Sequence, residues 1–176
     1  MSPPTHAGDN RSRTIVLVPA RLASTRLPDK PLADIAGEPM IVHVWRRAVE
    51  AALGPVVVAC AESAIAEAVR RAGGDAVSTD PELPSGTDRI FQALQRLDPE
   101  RRYETVVNVQ GDLPLLDPAA LRRVVEPLDA LGTDLGTLAS PTEDDEERHN
   151  PNVVKAILAI GPDDPGLGRA LYFTRA

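Results

Sequence analysis

Two loops in this chain concentrate side chains able to do chemistry. The first, PARLASTRLPDKPL (19–32), sets Arg21, Arg26 and Lys30 against a single acid, Asp29. The local charge is therefore 3 − 1 = +2, in a chain whose formal net charge is 19 − 26 = −7. Ala20, Ala23, Ser24 and Thr25 are small, so their backbone N–H groups can come close to a ligand. Pro28 and Pro31 stiffen the exit. Backbone donors plus two or three cations of fixed position are what a polyphosphate requires. Lysine occurs only at Lys30 and Lys155 in a chain that otherwise uses arginine. Each of the two lysines is thus a candidate for a position that needs a compact ammonium and not a planar guanidinium. Neither the GxxxxGK[ST] phosphate loop nor the GxGxxG dinucleotide fingerprint is present. On charge density alone, a solvated loop with scattered arginines fits equally well.

The second loop is NVQGDLP (108–114). Gly111 permits a sharp turn that would aim Asp112 into a cleft. One carboxylate facing a cationic polyphosphate loop suits Mg²⁺, which keeps several waters and takes one or two carboxylates plus substrate phosphates. Taken alone, an aspartate beside a glycine is more often a turn residue; taken with the first loop, the metal reading is favoured. A third stretch, PSGTDR (84–89), reads as a helix cap from Ser85 to Asp88, although the same N-terminus could present N–H groups to a nucleobase edge. His6, His43 and His149 are isolated, with His43 read as a packed or boundary residue of a helix. No Ser/His/Asp or Cys/His set stands out. The acids 143–147 read as a solvated face, and Cys60 as a small buried apolar residue.

These loops need elements to position them. TIVLVPA (14–20) is a continuous apolar run, the pattern of a buried strand. Further strands are expected at 56–60, 75–78, 105–109, 134–139, 152–160 and 170–174. Helices are expected at 39–53, 63–72 with Ser63 as cap, 87–97 and 118–131. Asp117-Pro118 supplies a cap and a first-turn proline for the last of these. The alternation of strand and helix predicts a three-layer α/β fold with a mostly parallel sheet, closed by a late antiparallel hairpin. In such sheets ligands bind beyond the strands' C-terminal ends, which is where both loops lie. Residues 1–13 are polar and aperiodic, an expected disordered tail, leaving 14–176 as one domain. A final strand ending at Arg175 would leave an uncovered sheet edge, so the chain reads as the N-terminal part of a longer protein.

Composition narrows the classes. The 176 residues are 43% hydrophobic and 26% charged, which suits an ordinary globular domain. The acidic balance argues against a nucleic-acid coat or a polybasic membrane binder. One Trp, two Tyr and two Phe are too few for a base-stacking platform. A single cysteine excludes internal disulfides and cysteine-based zinc sites. No apolar run approaches the roughly 20 residues that span a bilayer, and no secretory signal opens the chain, so a cytoplasmic protein is expected.

VPARLASTRLPDKPLADIAGEPMIVHVWRRA (18–48) resembles the N-terminal signature of the 3-deoxy-manno-octulosonate (Kdo) cytidylyltransferases. The similarity continues in order through SGTDRI (85–90), VVNVQGD (106–112), NPNVVK (150–155) and GRALYFTRA (168–176). The resemblance implies a cytoplasmic, usually dimeric enzyme with a Rossmann-like nucleotidyltransferase fold. It would join CTP to Kdo with Mg²⁺, giving CMP-Kdo and pyrophosphate for lipopolysaccharide synthesis. By motif, Arg21, Arg26 and Lys30 would contact the CTP phosphates, and Ala20 and Ser85 would lie near the nucleotide. Gln110 would lie near the sugar acid, Asp112 would bind Mg²⁺, and Arg175 would face the sugar acid or a dimer contact. Leu113 stands where many members carry Glu, Glu82-Leu83 where Asp-His is usual, and Ala61 where an Asp often ends the second strand. The family continues beyond this motif into a segment with a second metal-binding Asp, further sugar contacts and dimer surface. Two other readings stay open: another sugar-acid nucleotidyltransferase, or an inactive fragment of one.

Overall fold

A computed structural model describes residues 13–23, 28–131, 133–142, 144–161 and 166–175, with the side chains of 129–131 left aside. Arg26 and most of the N-terminal tail lie outside the described residues. Arg13, the last residue of that tail, accepts a hydrogen bond on its carbonyl from Glu104 N at 2.8 Å and pairs with the Glu104 carboxylate. The chain forms two compact units, Met1–Arg122 and Arg123–Ala176.

The first unit is built on a four-stranded, wholly parallel sheet. Its strands are β1 (Thr14–Ala20), β4 (Val56–Cys60), β5 (Asp75–Ser78) and β6 (Thr105–Asn108), in the order β5-β4-β1-β6. Between β1 and β4 lie a short hairpin, β2 (Asp34–Ile35) with β3 (Glu38–Pro39), and helix α1 (Met40–Glu50). Helix α2 (Ser63–Arg71) joins β4 to β5, and α3 (Gly86–Leu97) joins β5 to β6. The central strand β1 pairs on both sides, Val16 with Val56 and with Val107, which is why its run is continuously apolar. Ile15 and Leu17 pack with Val57, Ala59, Ile90 and Ala93 against α3. Successive residues of a strand face opposite ways, so the fully buried Val16 and Val18 belong to the other face, where α1 and α2 pack. The three layers follow from that alternation.

Several local expectations change. The loop from 21 to 38 contains the β2–β3 hairpin. Its two-residue turn, Ala36-Gly37, has φ of 53° and 89°, and Gly37 N donates to Asp34 Oδ1 at 3.1 Å. Ser63 is the first residue of α2 and makes no cap; the capping position is Glu62, without a side-chain bond. Strand β6 is a half-exposed sheet edge among the described residues, with Val107 buried and Val106 exposed. His43 bridges elements, its Nε2 donating to Ile35 O at 2.8 Å. Cys60 is buried as expected, and burial pushes its thiol above the ordinary value.

Asp98 ends α3 as a buried carboxylate that accepts from Arg102 N at 2.9 Å and Tyr103 N at 2.8 Å. The Tyr103 amide is the main cause holding its pKa below the usual carboxylate value. A depressed folded-state pKa gives stability that is present above the unfolded value and lost as pH falls through the folded one. Asp98→Asn is therefore expected to lower the melting temperature at neutral pH and to flatten the acid limb of the stability profile. Thermal melts from pH 7 down to pH 2 check this, and parallel curves for both proteins refute it.

The division between the units falls within helix α4 (Pro118–Leu131), which carries Pro127 inside it. Asp117 opens α4 as expected, accepting from Ala119 N at 2.8 Å. The second unit then holds a short helix, α5 (Asp145–His149), and an antiparallel hairpin of β7 (Lys155–Ile160) and β8 (Gly168–Thr174). The expected strand at 134–139 does not form. Leu135 is 90% exposed, and Gly136 lies so close to α4 that a Cβ would sit 2.4 Å from Val124 O. The segment is an irregular strap with no partner strand among the described residues. The acidic stretch is partly helical, because Asp144 caps α5 by accepting from Glu146 N at 2.8 Å.

Candidate functional site

Strands β4 and β5 lie on one side of β1, whereas β6 lies on the other. The strand order therefore reverses between β1 and β6, and a parallel sheet opens a crevice beyond its C-terminal ends at such a point. Both chemistry-bearing loops leave the sheet there. After β6, Val109 N still bonds to Leu17 O at 3.0 Å, keeping the chain beside β1. Gly111 then passes directly over the end of β1: a Cβ on it would stand 2.5 Å from Pro19 O. Close backbone approach, as much as a sharp turn, is what requires glycine there. Gly86, at the start of α3, lies on the ring of the same proline, where its Cβ would come 3.4 Å from Pro19 Cγ.

This geometry brings Asp112 to Lys30. Lys30 begins a single 3-10 turn (Lys30–Leu32) behind Asp29, whose φ is 54°, and its Nζ donates to Asp112 Oδ2 at 2.7 Å. The two side chains are 34% and 50% exposed. An ion pair that open to water adds about 0–1 kcal/mol to stability, so both groups can be recruited by a ligand at little cost to the fold. A polyphosphate would take the ammonium, and a cation would take the carboxylate. Among the described residues no three His, Cys, Asp or Glu side chains come together. One carboxylate beside a cation that a phosphate could engage still fits Mg²⁺, which draws its other ligands from water and substrate.

Of the remaining candidates, Ala20, Ser85 and Gln110 adjoin in sequence Pro19, Gly86 and Gly111, which meet at the end of β1. Ala20 is buried at the end of β1, and Arg21 follows it on the surface. Gln110 is exposed, its Nε2 donating to Asn108 Oδ1 at 3.3 Å. Ser85 caps α3: its Oγ accepts from Asp88 N at 3.1 Å and donates to the Asp88 carboxylate. Ser85→Ala is expected to cost about 1 kcal/mol through the lost cap, measured as a drop in denaturation midpoint. No change would show that the cap contributes nothing. Arg175 belongs to the second unit, where its Nη1 donates to Pro151 O and Asn152 O, each at 3.3 Å. Its carbonyl accepts from Lys155 Nζ at 3.0 Å. There it ties the end of β8 to the turn before β7.

Sequence reasoning missed Arg89. It is 2% exposed, and its Nη1 donates to Thr79 Oγ1 and, at 3.1 Å, to Asp80 O. Burial holds its pKa below the ordinary value, and among its charged neighbours Glu62 opposes that shift most strongly while Arg21 adds to it. A signal did exist: Arg89 stands four residues before Ala93 on the sheet-facing side of α3, where an apolar residue is the rule.

A profile of the cytidylyltransferase family matches residues 15–176. The 3-deoxy-manno-octulosonate cytidylyltransferase of Paramagnetospirillum magneticum is 57% identical over 92% of this chain and 65% of its own. That of Parvibaculum lavamentivorans is 60% identical over 92% of this chain and 62% of its own. The chain thus spans somewhat under two thirds of the length of these relatives. A solved structure of a CMP:2-keto-3-deoxy-manno-octonic acid synthetase complexed with CTP superimposes with a TM-score of 0.74 at 31% identity. It covers 94% of this chain and 65% of that one.

Proposed function

The chain belongs to the cytidylyltransferase family, and on that premise we propose that it serves transfer of a cytidylyl group from CTP to the sugar acid Kdo, releasing pyrophosphate. The observation that carries this reading is the 2.7 Å pair of Lys30 and Asp112 at the crevice between β1 and β6. It puts an ammonium, of the kind that binds phosphate, and a carboxylate, of the kind that binds a metal, at one point. In this reading the sugar's anomeric hydroxyl attacks the α-phosphorus, the bond to the bridging oxygen breaks, and pyrophosphate leaves.

Both substrates are anionic, so much of the barrier is charge repulsion. Lys30 and Arg21 offset it by holding phosphate oxygens, and the reading places Arg26 with them. Held substrates also react from a fixed geometry, which removes much of the entropic cost of their meeting. Asp112 would hold Mg²⁺, which when bound neutralises phosphate charge and polarises the reacting groups. Ala20 and Ser85 would line the nucleotide, and Gln110 the sugar acid. Arg175 would serve the sugar acid or a contact between two copies. A homodimer, a cytoplasmic location and a role in lipopolysaccharide precursor synthesis belong to the same reading. For the chain's extent we propose a tail over 1–13 and a nucleotidyltransferase domain from 14 onward.

Pyrophosphate release on adding CTP, Kdo and Mg²⁺ tests it, with other nucleotides and other sugar acids in parallel. Calorimetry of CTP binding gives a readout independent of turnover. Selective binding of CTP, together with Kdo-dependent release, is expected. Preference for another sugar acid would move the chain to a sister activity, and indifference among nucleotides would refute the cytidylyl assignment.

A further inference from the structure

On the β5 side of the crevice, α3 presents three side chains to one short segment. Arg89 Nη1 donates to Thr79 Oγ1 and Asp80 O, Gln92 Oε1 accepts from Asp80 N at 2.7 Å, and Arg96 Nη1 donates to Ser78 O. Residues 89, 92 and 96 share one helix face, being three and four apart. Thr79 is also held from the sheet, its N donating to Cys60 O at 2.8 Å. The end of β5 and the start of the segment that follows it, Ser78 to Asp80, are therefore clamped, and the segment leads on through Pro84 to the Ser85 cap and the first turn of α3.

Only one of the three clamping side chains is both charged and buried. Arg89 Nη2 and Glu62 Oε2 are buried atoms that find no hydrogen-bond partner among the described residues. Glu62 is the acid whose charge most favours the Arg89 guanidinium. An isolated buried guanidinium is costly, and removing one partner of a buried charge pair strands the other. Glu62 is half-buried and makes no direct ion pair with Arg89, so its carboxylate offsets the buried guanidinium's charge across a short gap and not through a hydrogen bond. Arg21, on the loop after β1, adds a like charge to the same neighbourhood and makes that compensation more necessary.

We propose that Arg89, with Glu62 as its counter-charge, is a positioning residue that locks the segment 78–85 against the ends of β4 and β5, and so presets the α3 end of the nucleotide site. The last part rests on the CTP reading above. Arg89 is too deeply buried to touch a ligand, so it acts through the Thr79 hydroxyl and the Asp80 carbonyl. The pair does a job that a hydrophobic filling of the same space would not: it fixes the direction of the backbone groups it bonds.

Hydrogen exchange by mass spectrometry on the 176-residue chain tests the lock without reference to any ligand. Arg89→Met is expected to raise exchange across 79–85 by about tenfold while leaving β1 and β4 amides unchanged, the signature of local opening. Glu62→Gln keeps the side-chain shape and removes only the charge, and about a threefold rise confined to 79–85 is expected. Arg89→Lys should fall between Arg89→Met and the parent, because it keeps the charge and loses the fork of donors. Unchanged exchange in 79–85 in either Glu62→Gln or Arg89→Met overturns the proposal. So does a rise spread equally over β1 and β4, which would make Arg89 a contributor to global stability only. CTP calorimetry separates the two claims. Weaker CTP binding by both Arg89→Met and Lys30→Ala supports the proposal, and loss in Lys30→Ala alone overturns its nucleotide part and leaves the CTP reading standing. Equal CTP affinity in the parent and Lys30→Ala sinks that reading, and the exchange data then decide the lock by themselves.

Discussion

Asp112→Asn is expected to abolish the magnesium-dependent part of CTP affinity and to reduce cytidylyl transfer by about 10²-fold or more, the usual effect of removing a group that stabilises transition-state charge. The substitution keeps the shape of the side chain. It leaves Gly111 over Pro19 and removes only a charge whose partner, Lys30, is 34% exposed. An exposed pair contributes about 0–1 kcal/mol, so the melting temperature should scarcely move. Calorimetry of CTP binding with and without Mg²⁺ is the measurement. If the variant keeps the parent's affinity and magnesium dependence, Asp112 is only a turn residue of the loop after β6.

Lys30→Ala should show the same dissociation of stability from binding. Stability again loses at most the exposed pair. A charge-assisted contact to phosphate is worth roughly 1.5–3 kcal/mol, so CTP affinity should fall by about 10- to 150-fold. Arg46→Ala is the control. Arg46 also ends in an ion pair, with Glu38, but on α1 and the β2–β3 hairpin, outside the 19–32 and 108–114 segments. If charge alone mattered, the two variants would weaken CTP binding equally. A specific loss in Lys30→Ala is the outcome expected, and equal affinities of Lys30→Ala and the parent would refute the phosphate assignment.

The sequence was most legible where the physics is local. TIVLVPA reads as a strand buried on both faces because every residue in it needs a dry partner, and β1 is the central strand of the sheet. Asp117-Pro118 reads as a helix start because the cap and the fixed proline φ act within one turn, and α4 begins there. The strand expected at 134–139 does not form, because no neighbouring strand among the described residues offers it a ladder. A strand is a pairing, and its partner is not written in its own residues. The hairpin at Ala36-Gly37 was passed over for the opposite reason: its strands are two residues each, too short for any pattern to register.

By itself, then, the sequence determined which segments must be buried, where helices start, which loops carry surplus positive charge and which family the motifs resemble. Each of these depends on residue type and near neighbours. The tertiary structure alone decided that Lys30 meets Asp112 across 82 residues of sequence, because that meeting depends on β6 pairing with β1 on the side away from β4. It alone decided that Arg89 is a buried clamp, since the aliphatic stripe of α3 and the ends of β4 and β5 must close around it first. Long-range pairing sets which charges share a dry space, and no local rule of propensity or spacing contains that information.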